Sequence, residues 1–160
     1  MRIIDVTGPA SGLSFAVVVA KYNDFVTDRL QKGAIEALAH HGVRADDITV
    51  IRVPGAFEIP TAARLAAQTH RYDGIICLGC LIRGATPHFE YISSAVAHGL
   101  TQASGDTGVP MAFGVLTVNS AEEALERAVD GPGNKGWEAA TATVEMALIA
   151  GELAAEGADA

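Results

Sequence analysis

Four short apolar runs, each followed by a stretch with helical spacing, restrict this chain to an alternating β/α architecture. The runs are Phe15–Ala20, Ile48–Val53, 74–79 and 111–117. The first and third are almost continuously apolar, as strands of a parallel sheet covered on both faces are. From about residue 24 to 41, Val26, Leu30, Ala34, Ala37 and Leu38 recur at helical spacing, and Gly42 ends the pattern. Pro60 suits the first turn of a helix carrying Ala63, Leu65 and Ala66. A third helix is expected over about 88–103. Ser120 and Glu123 read as a capping box for a helix ending near Val129, and a last helix spans about 136–155. Alternating elements with short connections predict a three-layer α/β/α sandwich on a four-stranded parallel, doubly wound sheet. Residues 1–160 form one domain, with 1–12 as an N-terminal arm. Residues 2–6 are a candidate arm strand, suited to a sheet edge on another subunit.

With 19 acidic against 11 basic residues the formal net charge is −8. This balance speaks against a nucleic-acid or anionic-membrane partner, either of which favours clustered Lys and Arg. No apolar run approaches the roughly 20 residues of a transmembrane helix. The opening MRIIDVTGPA lacks the charged start and long apolar core of a signal peptide, so a cytoplasmic location is expected. Cys77 and Cys80 form a CxxC, but they do not open a helix, where thiols are activated. Cys77 is expected to be a buried small hydrophobe, and Cys80 to lie just past its strand and meet ligand through its backbone.

Open parallel sheets bind ligands beyond the carboxyl ends of their strands, and the polar and aromatic residues outside the helices gather there. The segment from Gly79 to Ile92 sets Arg83, Thr86 and His88 around glycines and a proline, at the passage from strand to helix. Its free backbone N–H groups at the helix start suit an anion. His88 is the candidate acid or base, because imidazole exchanges protons near neutral pH. His40 and His41 sit in a last helical turn and are read as structural. His70 is read as exposed. Tyr22, Phe57 and Phe113 near strand ends suit a flat heterocycle, and Glu58 suits ring N–H or hydroxyl donors. Phe113, inside a strand, reads equally well as core. Lys135 lies in a glycine-rich hinge, while Arg127 on its own reads as a solvated residue pairing with Glu123 at i, i+4. The hinge GPGNKG fits GxGxxG, yet it follows a helix and precedes no strand, so it is a helix–helix turn and no dinucleotide site.

The motifs GAFEIP, IRGATPHF and NKGWEAA, in this order and spacing, resemble the lumazine synthase family over nearly the whole chain. The resemblance implies a flavodoxin-like fold and the condensation of 5-amino-6-ribitylaminouracil with 3,4-dihydroxy-2-butanone 4-phosphate in riboflavin biosynthesis. It implies that Tyr22, Ala56, Phe57, Glu58, Cys80, Leu81, Ile82 and Phe113 hold the pyrimidine with its ribityl chain. Ala85, Thr86 and Arg127 would hold the phosphate-bearing substrate, His88 would donate protons, and Lys135 and Glu138 would support them. Tyr22 stands where the family usually has Phe or Trp, and its hydroxyl bears on affinity for the ring or for flavin-like products. No cofactor or metal is expected. By the same resemblance, pentamers place the site between subunits, and the compact connection between Arg127 and Gly136 goes with 60-subunit icosahedral shells. Association with riboflavin synthase is a further implied partnership. The small residues Ser93, Ser94, Ala95, Ala97 and Gly99 would pack around a fivefold axis. A flavin- or ribityl-binding module without turnover, or an inactive shell protein, is the alternative.

Overall fold

The computed structural model describes all of residues 1–160. Its elements, in chain order, are β1 Phe15–Ala20, α1 Asp24–His40, β2 Ile48–Val53, α2 Ile59–Gln68, β3 Gly74–Ile82, α3 His88–Thr107, β4 Met111–Val118, α4 Ala121–Glu126 and α5 Lys135–Ala158. The four strands pair in parallel in the order β2-β1-β3-β4. This is the expected three-layer α/β/α, flavodoxin-like sheet.

All six residues of β1 are buried because the strand is central and covered on both faces. Phe15, Val17 and Val19 join α1 and α5 on one face, while Ala16, Val18 and Ala20 join α2 and α3 on the other. Burying each larger side chain of this kind contributes roughly 1.5–3 kcal/mol. The whole expected apolar stripe of α1 is buried against the first face. On α2 the buried set is Ile59, Ala63, Ala66 and Ala67, and Leu65 instead faces solvent, because it is out of step with that stripe.

Within this one chain the arm pairs with no sheet edge. Residues 1–14 form no strand, and Arg2 instead pairs with Glu152 and Glu156 near the end of α5. The edge strands β2 and β4 are unpaired on their outer sides within this chain. The capping box is shifted by one residue. Ser120 Oγ accepts from the Glu123 N–H as expected, but the Glu123 carboxylate accepts from the N–H of Asn119. Gly99 faces α2, where a Cβ would stand 2.9 Å from Pro60. No helix is long and apolar enough to cross a membrane.

Candidate active site

The chain leaves β1 through α1 towards β2, and leaves β3 through α3 towards β4, on the opposite side and opposite face. Adjacent strands whose connections diverge open a crevice at their carboxyl ends. Asn23 closes its floor. It adopts a left-handed conformation (φ 62°) and leaves α1 without a side-chain cap. Its Nδ2 donates instead to the Cys80 carbonyl at 2.8 Å, joining the ends of β1 and β3. Backbone bonds from Lys21 to Val53 (2.8 Å) and Tyr22 to Pro54 (3.1 Å) add the end of β2.

A cleft of about 870 Å³ lies over this junction. Its walls include Tyr22, Ala56, Phe57, Glu58, Cys80, Leu81, Ile82, Thr86 and His88. Tyr22 and Phe57 are 72% and 63% exposed, so neither is a core residue. Two open aromatic faces in a cleft suit a flat ring, and Glu58, in the short turn before α2, offers an acceptor beside them. His88 is the first residue of α3, whose opening N–H groups have no helical acceptor. Ala85 is exposed in the same loop but does not line the cleft.

The other residues anticipated from sequence lie elsewhere. Phe113 is on the edge strand β4, 47% exposed, beside a separate hollow lined by Leu100, Thr101 and Met111. Its side chain is thus neither core nor part of the cleft. Arg127 is half-buried just past α4, and Lys135 opens α5. The two are joined through the backbone, the Lys135 N–H donating to the Arg127 carbonyl at 2.9 Å. Arg127 does not pair with the Glu123 carboxylate, which Asn119 engages. Its Nη1 donates to the Glu123 carbonyl at 3.0 Å. Lys135 Nζ lies 2.8 Å from Glu138 Oε2. None of Phe113, Arg127, Lys135 and Glu138 lines the cleft of its own chain.

Cys80 is inside β3, not beyond it, and the apolar run continues to Ile82. Three residues apart on a strand, Cys77 and Cys80 point to opposite faces of the sheet, so they cannot form a CxxC disulfide. Burial pushes the Cys80 thiol up to about 11 and that of Cys77 further still. The GPGNKG segment is the α4–α5 connection, and no strand follows it. Asn23, Phe89, Tyr91 and Ile92 also line the cleft and escaped the sequence reading. Tyr91 was within reach of it, since it lies one helical turn beyond His88.

A profile of the 6,7-dimethyl-8-ribityllumazine synthase family matches residues 12–150. A 6,7-dimethyl-8-ribityllumazine synthase from Syntrophus aciditrophicus (strain SB) is 53% identical over 137 residues, covering 86% of this chain and 89% of the relative.

Proposed function

Because the chain belongs to the 6,7-dimethyl-8-ribityllumazine synthase family, we propose that the cleft at the β1–β3 junction is one half of its active site. The enzyme condenses 5-amino-6-(D-ribitylamino)uracil with 3,4-dihydroxy-2-butanone 4-phosphate and releases phosphate and water. The product, 6,7-dimethyl-8-ribityllumazine, belongs to riboflavin biosynthesis.

Tyr22 and Phe57 sandwich or flank the pyrimidine, and Glu58 with the backbone of Cys80, Leu81 and Ile82 binds its polar edge and ribityl chain. The loop carrying Ala85 and Thr86 receives the phosphate-bearing substrate at the start of α3, where backbone N–H groups favour an anion. The amine attacks the ketone to form an imine, phosphate leaves by elimination, and a second condensation closes the ring. Each step needs a proton delivered or removed, first between the paired substrates and then within the adduct they form, and His88 at the rim of the cleft is the group that exchanges it.

One observation carries the division of labour. The cleft lacks Phe113, Arg127, Lys135 and Glu138, although all four belong to its expected chemistry. A neighbouring subunit that supplies them would cover the exposed aromatics and bring two cations to the phosphate. The enzyme acts on small-molecule substrates as a homo-oligomer, assembled as pentamers and, given its short α4–α5 connection, as a 60-subunit shell. It works in the cytoplasm and associates with riboflavin synthase.

Mixing the two substrates and following lumazine fluorescence tests the activity. Turnover above the spontaneous condensation supports it. Tight binding of a ribityl compound without turnover would leave a binding module or inactive shell instead.

A further inference from the structure

The Asn134 side chain is only 2% exposed, and all four of its hydrogen-bonding positions are used. Oδ1 accepts from the N–H groups of Gly136 (2.7 Å) and Trp137 (3.2 Å), capping α5. Nδ2 donates to the carbonyls of Arg29 on α1 (3.1 Å) and Val129 after α4 (3.0 Å). One side chain therefore fastens three segments to each other.

The surrounding residues leave space for nothing larger. A Cβ on Gly33 would stand 2.3 Å from Asn134 Oδ1, and one on Gly136 would stand 2.0 Å from the Leu30 carbonyl oxygen. Both glycines let α1 approach the start of α5 closely enough for Asn134 to reach across. The adjoining backbone is drawn into the same turn. The Asn134 N–H donates to Gly131 (3.0 Å), and the Lys135 N–H to Arg127 (2.9 Å). Arg127 and Lys135 are thus held in a fixed relation by a turn whose buried anchor is Asn134. The other tie to α1, Lys32 to Asp130 at 3.1 Å, is solvent-exposed and correspondingly weak.

We propose that Asn134 is a positioning residue for the reaction, setting where Arg127 and Lys135 meet the phosphate-bearing substrate. The proposal rests on the assignment of those two cations to that substrate. A cation displaced by a fraction of an ångström loses charge-assisted contacts whose strength depends on geometry.

The test compares Asn134→Asp, Gly33→Ala and Arg127→Ala by steady-state kinetics, with each substrate varied in turn. Asn134→Asp keeps the two accepting contacts and sets a carboxylate oxygen against two carbonyls. Gly33→Ala displaces the Asn134 side chain from outside. Both should raise KM for the dihydroxybutanone phosphate roughly 10-fold or more, with KM for the pyrimidine within about twofold. Trp137 is the single tryptophan and packs on His40, ring centroids 5.6 Å apart, so its emission reports the shift of the turn directly. If Arg127→Ala raises that KM and the folded Asn134 and Gly33 variants do not, the positioning role is wrong. A loss confined to kcat and melting temperature, with both KM values unchanged, marks a purely structural residue and also overturns it. Should Asn134→Asp not fold, Gly33→Ala and Asn134→Ser decide by the same criterion. If Arg127→Ala leaves KM for the phosphate substrate unchanged, the phosphate assignment fails, and the positioning proposal fails with it.

Discussion

The guanidinium of Arg83 lies over the ring of Phe89, 4.5 Å from its centroid. From there Nε donates to Asn119 Oδ1 at 3.1 Å and Nη1 to the Glu90 carboxylate. The Arg83 N–H bonds the Val118 carbonyl at 2.8 Å. One residue thus clips the end of β3 to the first turn of α3 and to the end of β4. The loop between them carries Ala85 and Thr86 and leads into His88, and Gly84 has open space around it.

Arg83→Met should therefore loosen that loop and lower kcat roughly 10-fold through misplacement of His88, with the melting temperature near wild type. Kinetics and hydrogen exchange over residues 84–90 test this. The Glu90 carboxyl is held below its ordinary value by its own backbone N–H first and by Arg83 next. A depressed carboxylate keeps its contact above the ordinary value and loses it as pH falls through the lowered one. The clip should accordingly persist through neutral and mildly acidic solution and open only below the ordinary range. Equal exchange in wild type and Arg83→Met would show that the clip holds nothing.

His88→Ala should lower turnover by about 100- to 10,000-fold while leaving pyrimidine binding and assembly intact. The spontaneous condensation sets a floor on the measurable loss. Fluorescence-monitored turnover, with the uncatalysed rate subtracted, measures the effect. Wild-type turnover in the variant would remove His88 from the mechanism.

The layers were legible in the sequence because their signals are local. The unbroken apolar run of β1 and the α1 stripe from Val26 to Leu38 each reflect one element meeting one core. Local signals mislead where a partner outside the motif decides. Glu123 bonds Asn119, and Arg127 bonds a carbonyl, because the chain before α4 turns its own N–H towards the carboxylate. Residues 2–6 have strand-like composition, and in the single chain, where the edge expected on another subunit is not present, Arg2 meets carboxylates on α5. For the site, the loops at strand ends revealed Tyr22, Phe57 and His88, since the fold rule specifies that edge. Nothing in a single sequence says that Phe113 and Arg127 miss the cleft of their own subunit, because motif order carries no record of chain identity.

Both thiols should be inert at neutral pH. Burial disfavours the thiolate and raises Cys80 to about 11, with Cys77 higher. The neutral thiol is the stable form, so its contribution to stability is complete below the ordinary thiol value and fades as pH climbs towards 11. Iodoacetamide treatment of the native protein between pH 7 and 9, read by mass spectrometry, should leave both cysteines unmodified, and unfolding in urea should expose both. Rapid alkylation of Cys80 at pH 7 in the folded protein would contradict its burial and place an active nucleophile in the cleft.

Assembly can be argued from what one chain leaves uncovered. Tyr22 and Phe57 stand open in the cleft, and Phe113 stands half-exposed on β4 beside a hollow of about 450 Å³. Apolar groups arranged at two separate hollows suit a contact in which the hollow beside β4 of one subunit meets the cleft of the next. Such a head-to-tail contact closes into a ring if the rotation allows it. The edges of β2 and β4 are also open, and the arm forms no strand in its own chain, so strand addition from a neighbour has both an unpaired edge and an unpaired segment to use. Between Arg127 and Gly136 only eight residues intervene, and Asn134 pins them against α1, which leaves no projecting loop to obstruct contact between rings. With the family resemblance, which implies pentamers and goes with a compact connection in shell-forming members, the species we propose is a pentamer-based 60-subunit shell. Sedimentation at neutral pH should give one particle of that mass, and deleting residues 1–6 should shift it towards free pentamers while cleft binding survives. A sole species of five or ten chains in the full-length protein would sink the shell, and a monomer that turns over both substrates would sink the shared site.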